Sequence, residues 1–412
     1  MKILWLCNIV LPELCEEFGF KKGNTGGWLP SMWKELKSCD DFELGICVPI
    51  FKPQNMKDGI YENYRYFSFP FVSESELLPV QRKRFEEILT IFQPDLIHIW
   101  GTEYFHSFAM TQACRKGNFL DHVIVNIQGL VSVYSKHFTT GVPKEILEFK
   151  KNDRQQTILE LQEDFEMRGR YEIQLLKEVK HAVGRTDWDK ACVLHMNPNI
   201  NYYECGEILR EEFYEKAGSW SLPNCRKHSI FISQAAYSVK GFHLVLEQMA
   251  ELAERYADLR IYVAGVDLGK EDSAYASYVM ELIHTYHLQN HIIFTGILEA
   301  KEMAEHYLKS NVFLSPSTIE NSSNSVCEAL CLGVPVVASY VGGLPSLIEH
   351  GKSGLLYPLE ESYMISYYIQ EIFENEKKAK SLSECGKKQV RLLNNREEIN
   401  KKVLEIYAKV NS

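Results

Sequence analysis

The 412-residue sequence has no long uninterrupted apolar run, no dense cluster of basic residues, no internal repeat and no low-complexity tract. Each absence removes a class of function. A helix that spans a bilayer needs about 20 predominantly apolar residues, and no stretch approaches that. With a net charge of −10 and no Lys/Arg cluster, neither a global nor a local field draws nucleic acid. There are 11 cysteines but no metal spacing among them. Cys327 and Cys331 sit one helical turn apart in an apolar run, and no histidine pair completes a ligand set. Their odd number and irregular spacing read as reduced core thiols in a cytosol. The apolar run Ile3–Leu11 is too short for a secretory signal and contains Asn8. Glu13, Glu16 and Glu17 follow it in place of a small-residue cleavage site, so it reads as a buried first strand. The expected setting is cytoplasmic, with peripheral attachment to the inner membrane face left open.

What is present is an alternation of short apolar runs with longer amphipathic segments. Strand-like runs are Lys2–Cys7, Leu44–Val48, Leu96–Trp100 and Val123–Ile127, then Ser229–Ser233, Arg260–Ala264, His291–Phe294, Asn311–Leu314, Val334–Ala338 and Gly354–Tyr357. Between them lie helical patterns such as Phe242–Tyr256, with Leu244, Leu246, Met249, Leu252 and Ala253 on one face. Apolar strands alternating with helices predict an α/β protein with parallel sheets covered on both faces. Two sheets are indicated: a first domain over residues 1–200 and a second over 227–396. Residues 201–226, rich in Asn, Glu, Gly and Pro, read as a connector. A last amphipathic helix over 397–412 is expected to pack back on the first domain. The stretch Lys136–Lys180 breaks the pattern. Its Lys144, Lys150, Lys151, Arg154, Arg168 and Arg170 are consistent with a lipid-facing surface, but neighbouring glutamates offset them, and a solvated helical insertion is the favoured reading.

Ligands of parallel sheets bind beyond the carboxyl ends of the strands. The loop after Val312–Leu314 runs from Ser315 through Glu320 to Ser325 and then enters a helix. Ser323, Asn324 or Ser325 can cap that helix, and the N–H groups of its first turn, aided by the helix dipole, suit a diphosphate. Glu320 precedes the helix, where it can reach a ligand. Glu328 lies one turn inside, where it can accept hydrogen bonds from a diol such as a ribose. Their spacing alone says little, since it recurs at Glu35/Glu43, Glu204/Glu212, Glu207/Glu215, Glu376/Glu384 and Glu397/Glu405. The setting is what separates this pair: strand, polar loop, helix, then Gly333–Ala338 as the next strand and Val341-Gly342-Gly343 as a tight loop.

Ser315-Pro316-Ser317, the Glu320/Glu328 pair, Glu328-Ala329-Leu330, Leu332–Ala338, Val341-Gly342-Gly343 and His350–Leu356 together resemble the signature of the retaining glycosyltransferases of family GT4. The likeness is strong from about Ser229 to Pro358 and diffuse over the first 200 residues. It implies a GT-B fold, two Rossmann-like domains facing each other across a cleft. It also implies a nucleotide diphosphate sugar as donor, most readily UDP-linked, and a glycan or lipid-linked acceptor, with surface polysaccharide biosynthesis as the default setting and no metal required. By the same resemblance Glu320 contacts the donor sugar, Glu328 holds the ribose, Ser323, Asn324 and Ser325 meet the donor phosphates, and Lys240 neutralises the leaving diphosphate. Gly26 and Gly27, in Asn24-Thr25-Gly26-Gly27, match a glycine loop that approaches the phosphates.

Two positions depart from that pattern. Ala235 stands where an arginine is usual, and Gln128 where a histidine is common. Gln128 can still hydrogen-bond a donor sugar but does not titrate, and Arg185 is a candidate to restore the missing charge. Asp187-Trp188-Asp189 imitates a metal-binding Asp-x-Asp but reads as acidic residues at a helix start, and His98 as a packed strand residue. A catalytically silent nucleotide-sugar-binding partner and a GT-B nucleotide-sugar epimerase are the alternatives.

Overall fold

In a computed structural model, which describes residues 1–20, 27–37, 39, 41–152 and 155–411, fourteen strands are distributed over two sheets. The first sheet has the order β3-β4-β2-β1-β5-β6-β7-β8. Its strands are β1 (Lys2–Cys7), β2 (Glu43–Ile50), β3 (Gly59–Tyr61), β4 (Tyr64–Pro70), β5 (Leu96–Trp100), β6 (Val123–Asn126), β7 (His181–Gly184) and β8 (Asn201–Glu204). Only the β3–β4 pairing at its edge is antiparallel. The second sheet has the order β11-β10-β9-β12-β13-β14 with parallel pairings. It contains β9 (Ser229–Ile232), β10 (Arg260–Ala264), β11 (Ile292–Gly296), β12 (Val312–Ser315), β13 (Val336–Ser339) and β14 (Leu355–Tyr357). The two sheets are the cores of two Rossmann-like domains.

The central strands follow from their composition. β1 buries Ile3 through Cys7 completely, β5 buries all five residues, and β12 and β13 are buried throughout. Such strands need cover on both faces, which a helix after each strand supplies. β4 and β8 were not among the strand-like runs. β4 interrupts its aromatic residues with Arg65 and Ser68, and Ser68 is tied in by its amide to Asp58 Oδ1 (3.0 Å) and its carbonyl to Arg84 Nε (2.9 Å). β8 lies inside the stretch read as a connector. As an edge strand paired to β7 alone it keeps Asn201 and Glu204 exposed, which hides it in a polar composition. The helix expected over Phe242–Tyr256 begins as a 3-10 turn, Phe242–Leu244, and becomes α-helical at Leu246–Arg255.

Two compact units are formed. One comprises Met1–Val133, Phe165–Ile208 and Asn395–Ser412, and the other Tyr134–Asp164 and Leu209–Asn394. The first unit thus includes the last helix, Arg396–Val410, capped by Asn395 accepting from the Glu398 amide (3.1 Å). Its Tyr407 is buried against β1 and β5. Trp5 Nε1 donates to Tyr407 Oη (3.1 Å), and Tyr407 Oη lies 2.7 Å from His98 Nδ1. The hydroxyl thus links the indole and the imidazole in one buried hydrogen-bonded group. His98 stacks on Trp100 at 3.9 Å and is 2% exposed, and burial pushes its pKa down to about 3. Asp187 and Asp189 open the helix Asp187–Met196, where Thr186 caps the Asp189 amide (3.1 Å) and the Asp189 carboxylate accepts from the Arg185 amide (3.0 Å) and Tyr202 Oη.

Replacing Tyr407 by Phe strands two buried partners and should cost about 1–3 kcal/mol, read by urea denaturation. His98 sets a pH slope. The unfolded chain takes up a proton at about pH 6.5 that the folded one refuses until about pH 3. Its contribution is therefore complete above pH ~6.5 and lost as the pH falls. Between those limits the stability of a His98→Gln variant should fall less steeply, by about 1.4 kcal/mol per pH unit, than that of the parent.

Candidate functional site

In the second sheet the chain runs outward from β9 to β11, returns to β12 beside β9, and then runs outward the other way. The reversal makes the carboxyl ends of β9 and β12 the expected ligand position. Lys240 follows β9 and Glu320 follows β12, and they meet there: Lys240 Nζ lies 3.0 Å from Glu320 Oε2, with side chains 18% and 15% exposed. Ser317 Oγ donates to the same oxygen (3.1 Å). Burial works against the ammonium, but the Glu320 carboxylate, with help from Tyr237, outweighs it and holds the Lys240 pKa above the ordinary lysine value.

Two glycines let these loops touch. Gly241, directly after Lys240, has φ +68°, and a Cβ there would stand 1.9 Å from the Pro316 carbonyl oxygen. The Thr318 amide donates to Val239 O (2.8 Å), closing the contact between the two loops. Gly342 has φ +50°, and a Cβ would stand 2.0 Å from Glu320 O, which accepts instead from the Gly343 amide at 2.9 Å. Glu320 is therefore fixed through both backbone and side chain. From the stretch Tyr134–Asp164, Tyr134 Oη accepts from the Asn321 amide (2.8 Å) and His137 O accepts from Thr318 Oγ1 (3.3 Å). The sequence expectation of a solvated insertion covered Lys136–Lys180, of which residues up to Asp164 belong to this unit, with His137 on a site loop, and Phe165 onward to the first unit; Arg154 lies outside the described residues.

The helix after the loop spans Asn324–Leu332, with Ser323 at its N-cap. Ser323 makes no capping bond to the first turn; its Oγ is 3.1 Å from Ser325 Oγ. The first-turn amides thus lack the usual serine cap where the dipole is positive. Glu328 lies inside the helix, 4% exposed. Arg210 grips it with Nε to Oε1 at 2.8 Å and Nη2 to Oε2 at 2.9 Å. Burial lifts the Glu328 pKa to about 7 against the pull of Arg210. A carboxylate has about four lone-pair sites, so this grip leaves it capacity to accept from a diol. Arg210 was absent from the sequence reading: it precedes Glu328 by 118 residues, and no local pattern joins them.

The other expected residues are in the first unit. Gln128, after β6, donates from Nε2 to Asn126 Oδ1 and to Glu207 Oε1, both at 2.6 Å. Arg185 forms an ion pair with Glu207, the two side chains being 4% and 3% exposed. It also donates to the carbonyls of Ile127 and Gln128 (both 3.3 Å). Its charge is therefore already countered within its own unit. Ala235 is fully buried. Gly27 precedes the helix Trp28–Lys37 and accepts from Ser31 Oγ (3.1 Å), whereas Asn24, Thr25 and Gly26 lie outside the described residues. Among the described residues no three His, Cys, Asp or Glu side chains are grouped to hold a metal ion, and no helix is long and apolar enough to cross a membrane.

Removing Arg210 should test how the buried Glu328 is held. Arg210→Ala leaves that carboxyl without its counter-charge and is expected to destabilise the chain by about 3–5 kcal/mol in denaturant titrations. Stability contributed by protonated Glu328 is complete below its unfolded value of about 4.3 and lost as the pH rises through about 7. The loss in Arg210→Ala should therefore be smaller at pH 5 than at pH 8.

Residues 216–389 match the family described as glycosyl transferases group 1. Spore coat protein SA of Bacillus subtilis (strain 168) is 24% identical over 209 residues, which is 50% of this chain and 53% of that protein. The chain spans about half or less of the length of the curated relatives it matches. Over the whole chain the fold is that of a sucrose-phosphate synthase from Thermosynechococcus elongatus, with a TM-score of 0.76, 16% identity, and 100% of this chain and 99% of that one covered. HepE from Anabaena, solved in complex with UDP and glucose, superposes with a TM-score of 0.66 at 16% identity over 99% of this chain and 100% of its own. The chain thus has two Rossmann-like domains in a GT-B fold, and over residues 216–389, which carry the motifs at β9, β12 and β13, it is similar to the glycosyl transferases group 1.

Proposed function

We propose that the chain is a retaining glycosyltransferase that moves a sugar from a UDP-linked donor to a hydroxyl of a glycan or lipid-linked acceptor, on the cytoplasmic side of the membrane, in surface polysaccharide biosynthesis. The observation that carries this reading is the half-buried Lys240–Glu320 pair at the strand-order reversal of the second sheet, beside the N-terminus of the helix Asn324–Leu332. A diphosphate arriving there competes with Glu320 for the Lys240 ammonium and meets the amides of Asn324 and Ser325. Glu320, released from the lysine, turns to the donor sugar, and Glu328 accepts from the ribose hydroxyls. As the bond from the anomeric carbon to the phosphate oxygen breaks, its electron pair leaves with the diphosphate, and Lys240 stabilises the growing charge. The acceptor oxygen bonds to the same face of the anomeric carbon, and its proton passes to the departing phosphate. The HepE complex with UDP and glucose supports UDP as the nucleotide. On the first unit, Gly26, Gly27, Gln128 and Arg185 remain the residues proposed for the donor side.

One alternative has a specific observation behind it. Ala235 and Gln128 replace two expected functional groups, and Arg185, the candidate to restore the charge missing at Ala235, is already paired with Glu207, which favours a silent sugar-nucleotide-binding partner.

A thermal-shift panel of UDP, GDP, ADP and CDP, each with and without EDTA, separates these readings when combined with donor turnover. UDP at 100 times its Kd should add about 2.7 kcal/mol of stability, with or without EDTA. Lys240→Ala should lower UDP release from the turned-over UDP-sugar by about 100- to 1000-fold. Stabilisation by another nucleotide alone overturns the choice of UDP, and stabilisation without any turnover favours the silent partner.

A further inference from the structure

Lys240 and Glu320 stand on separate loops, and a third segment of the same unit, residues 134–152, holds the residues on both sides of each. On the loop after β12, Tyr134 Oη accepts from the Asn321 amide (2.8 Å) and His137 O from Thr318 Oγ1 (3.3 Å), so Glu320 is bracketed. On the loop after β9, Phe138 stacks on Tyr237 (6.1 Å, 23°) and Thr140 O lies 2.9 Å from His243 Nε2, so Lys240 is bracketed too. A carbonyl only accepts, so His243 carries its proton on Nε2. Burial pushes its pKa down to about 4, which leaves Nδ1 to accept from Tyr275 Oη (3.0 Å).

Two further contacts seat the segment. Gly141 has φ +68°, and a Cβ there would stand 2.1 Å from Leu244 Cδ2, so glycine lets the backbone lie against the β9 loop. At the far end, Asn152 Nδ2 donates to Asp272 Oδ2 (3.3 Å) and Gln155 Nε2 to Asp272 Oδ1. Phe138, Thr318 and Asn321 are each about 1% exposed, so water does not replace these grips when they are lost.

We infer that residues 134–152 are a strap that positions the Lys240 and Glu320 loops for the nucleotide, with Tyr134 as the residue through which it holds Glu320. This rests on the donor-site reading and adds the residues that support that site. In the free chain the Lys240–Glu320 pair itself ties the two loops together. A diphosphate that takes the ammonium removes that tie. The strap grips none of the groups assigned to the donor, neither Lys240, Glu320 and Glu328 nor the amides of Asn324 and Ser325. It therefore keeps both backbones in place while the two side chains change partners, and it weighs more in the bound state than in the free one. A segment that merely packed would stabilise both states alike.

The test uses the full chain, with UDP binding read by calorimetry, stability by urea denaturation and amide exchange by mass spectrometry. Tyr134→Phe keeps the ring and removes the hydroxyl to which the Asn321 amide donates. It should weaken UDP by about tenfold. Asp272→Ala frees the far end of the strap without touching the β9 or β12 loop and should weaken UDP by about threefold. In the unsubstituted chain UDP should slow exchange across residues 134–152. With the turned-over UDP-sugar, the Tyr134→Phe change should fall on KM, about tenfold, and not on kcat, because the strap bears alike on ground and transition states. A packing role lowers the urea midpoint alone. The inference is overturned if both variants bind UDP as the parent does, or if UDP leaves exchange in residues 134–152 unchanged. Should Tyr134→Phe fail to fold, Asp272→Ala decides, since Asp272 is exposed. UDP binding by the parent with insensitive variants defeats the strap only, whereas stabilisation by no nucleotide defeats the donor-site reading and the strap with it.

Discussion

An ammonium and a carboxylate taken out of water side by side gain little over their hydrated forms unless the geometry is tightly held. The Lys240–Glu320 pair is the point on which the second unit turns. Gly241 brings its loop onto Pro316, Gly342 lets Glu320 lie under the next loop, and Ser317 gives the carboxylate a second donor. Each device spends backbone freedom or a hydroxyl on one residue, Glu320. A pair assembled in this way is poised, because an anion that offers the ammonium a better partner can separate it without moving the fold.

The two sheets solve the same topological problem with different chemistry. The carboxyl edge of the second carries unlike charges on neighbouring loops. The edge of the first carries a closed Arg185–Glu207 pair, and around Glu103 the Asn8 and Gly129 amides on its carboxylate and the Arg168 guanidinium on its carbonyl. Charge on the second edge suits a ligand that changes charge during reaction.

What could be read from the sequence follows from how local each signal is. β1, β5, β12 and β13 are continuous apolar runs, and their assignment needs no partner. The Ser315–Glu328 loop and helix were legible because a strand end, polar residues and a helix start follow one another within fifteen residues. β8 was not, because an edge strand needs only one covered side, and β4 was obscured by the residues that anchor it. Arg210 and Glu207 were invisible for another reason: each is defined by a partner reached through the fold, and a lone charge in sequence looks solvated. Gln128 was legible as a position, but the commitment of both its amide protons to Asn126 and Glu207 was not. In the stretch Lys136–Lys180, read as a solvated helical insertion, the helix Ile158–Glu178 was legible, but the contact of His137 with the site loop was not, since it is a backbone carbonyl that accepts from Thr318.

Tyr407 joins Trp5 and His98, so a side chain four hundred residues from β1 completes the surroundings of that strand. Domains generally fold as units during synthesis, earlier ones first. Here the order of manufacture and the order of completion are reversed. The second unit is fully synthesised by Asn394, while the first, begun at residue 1, still lacks the helix Arg396–Val410. On the ribosome the first unit holds an apolar groove open through the making of the whole second unit, and the last helix closes it.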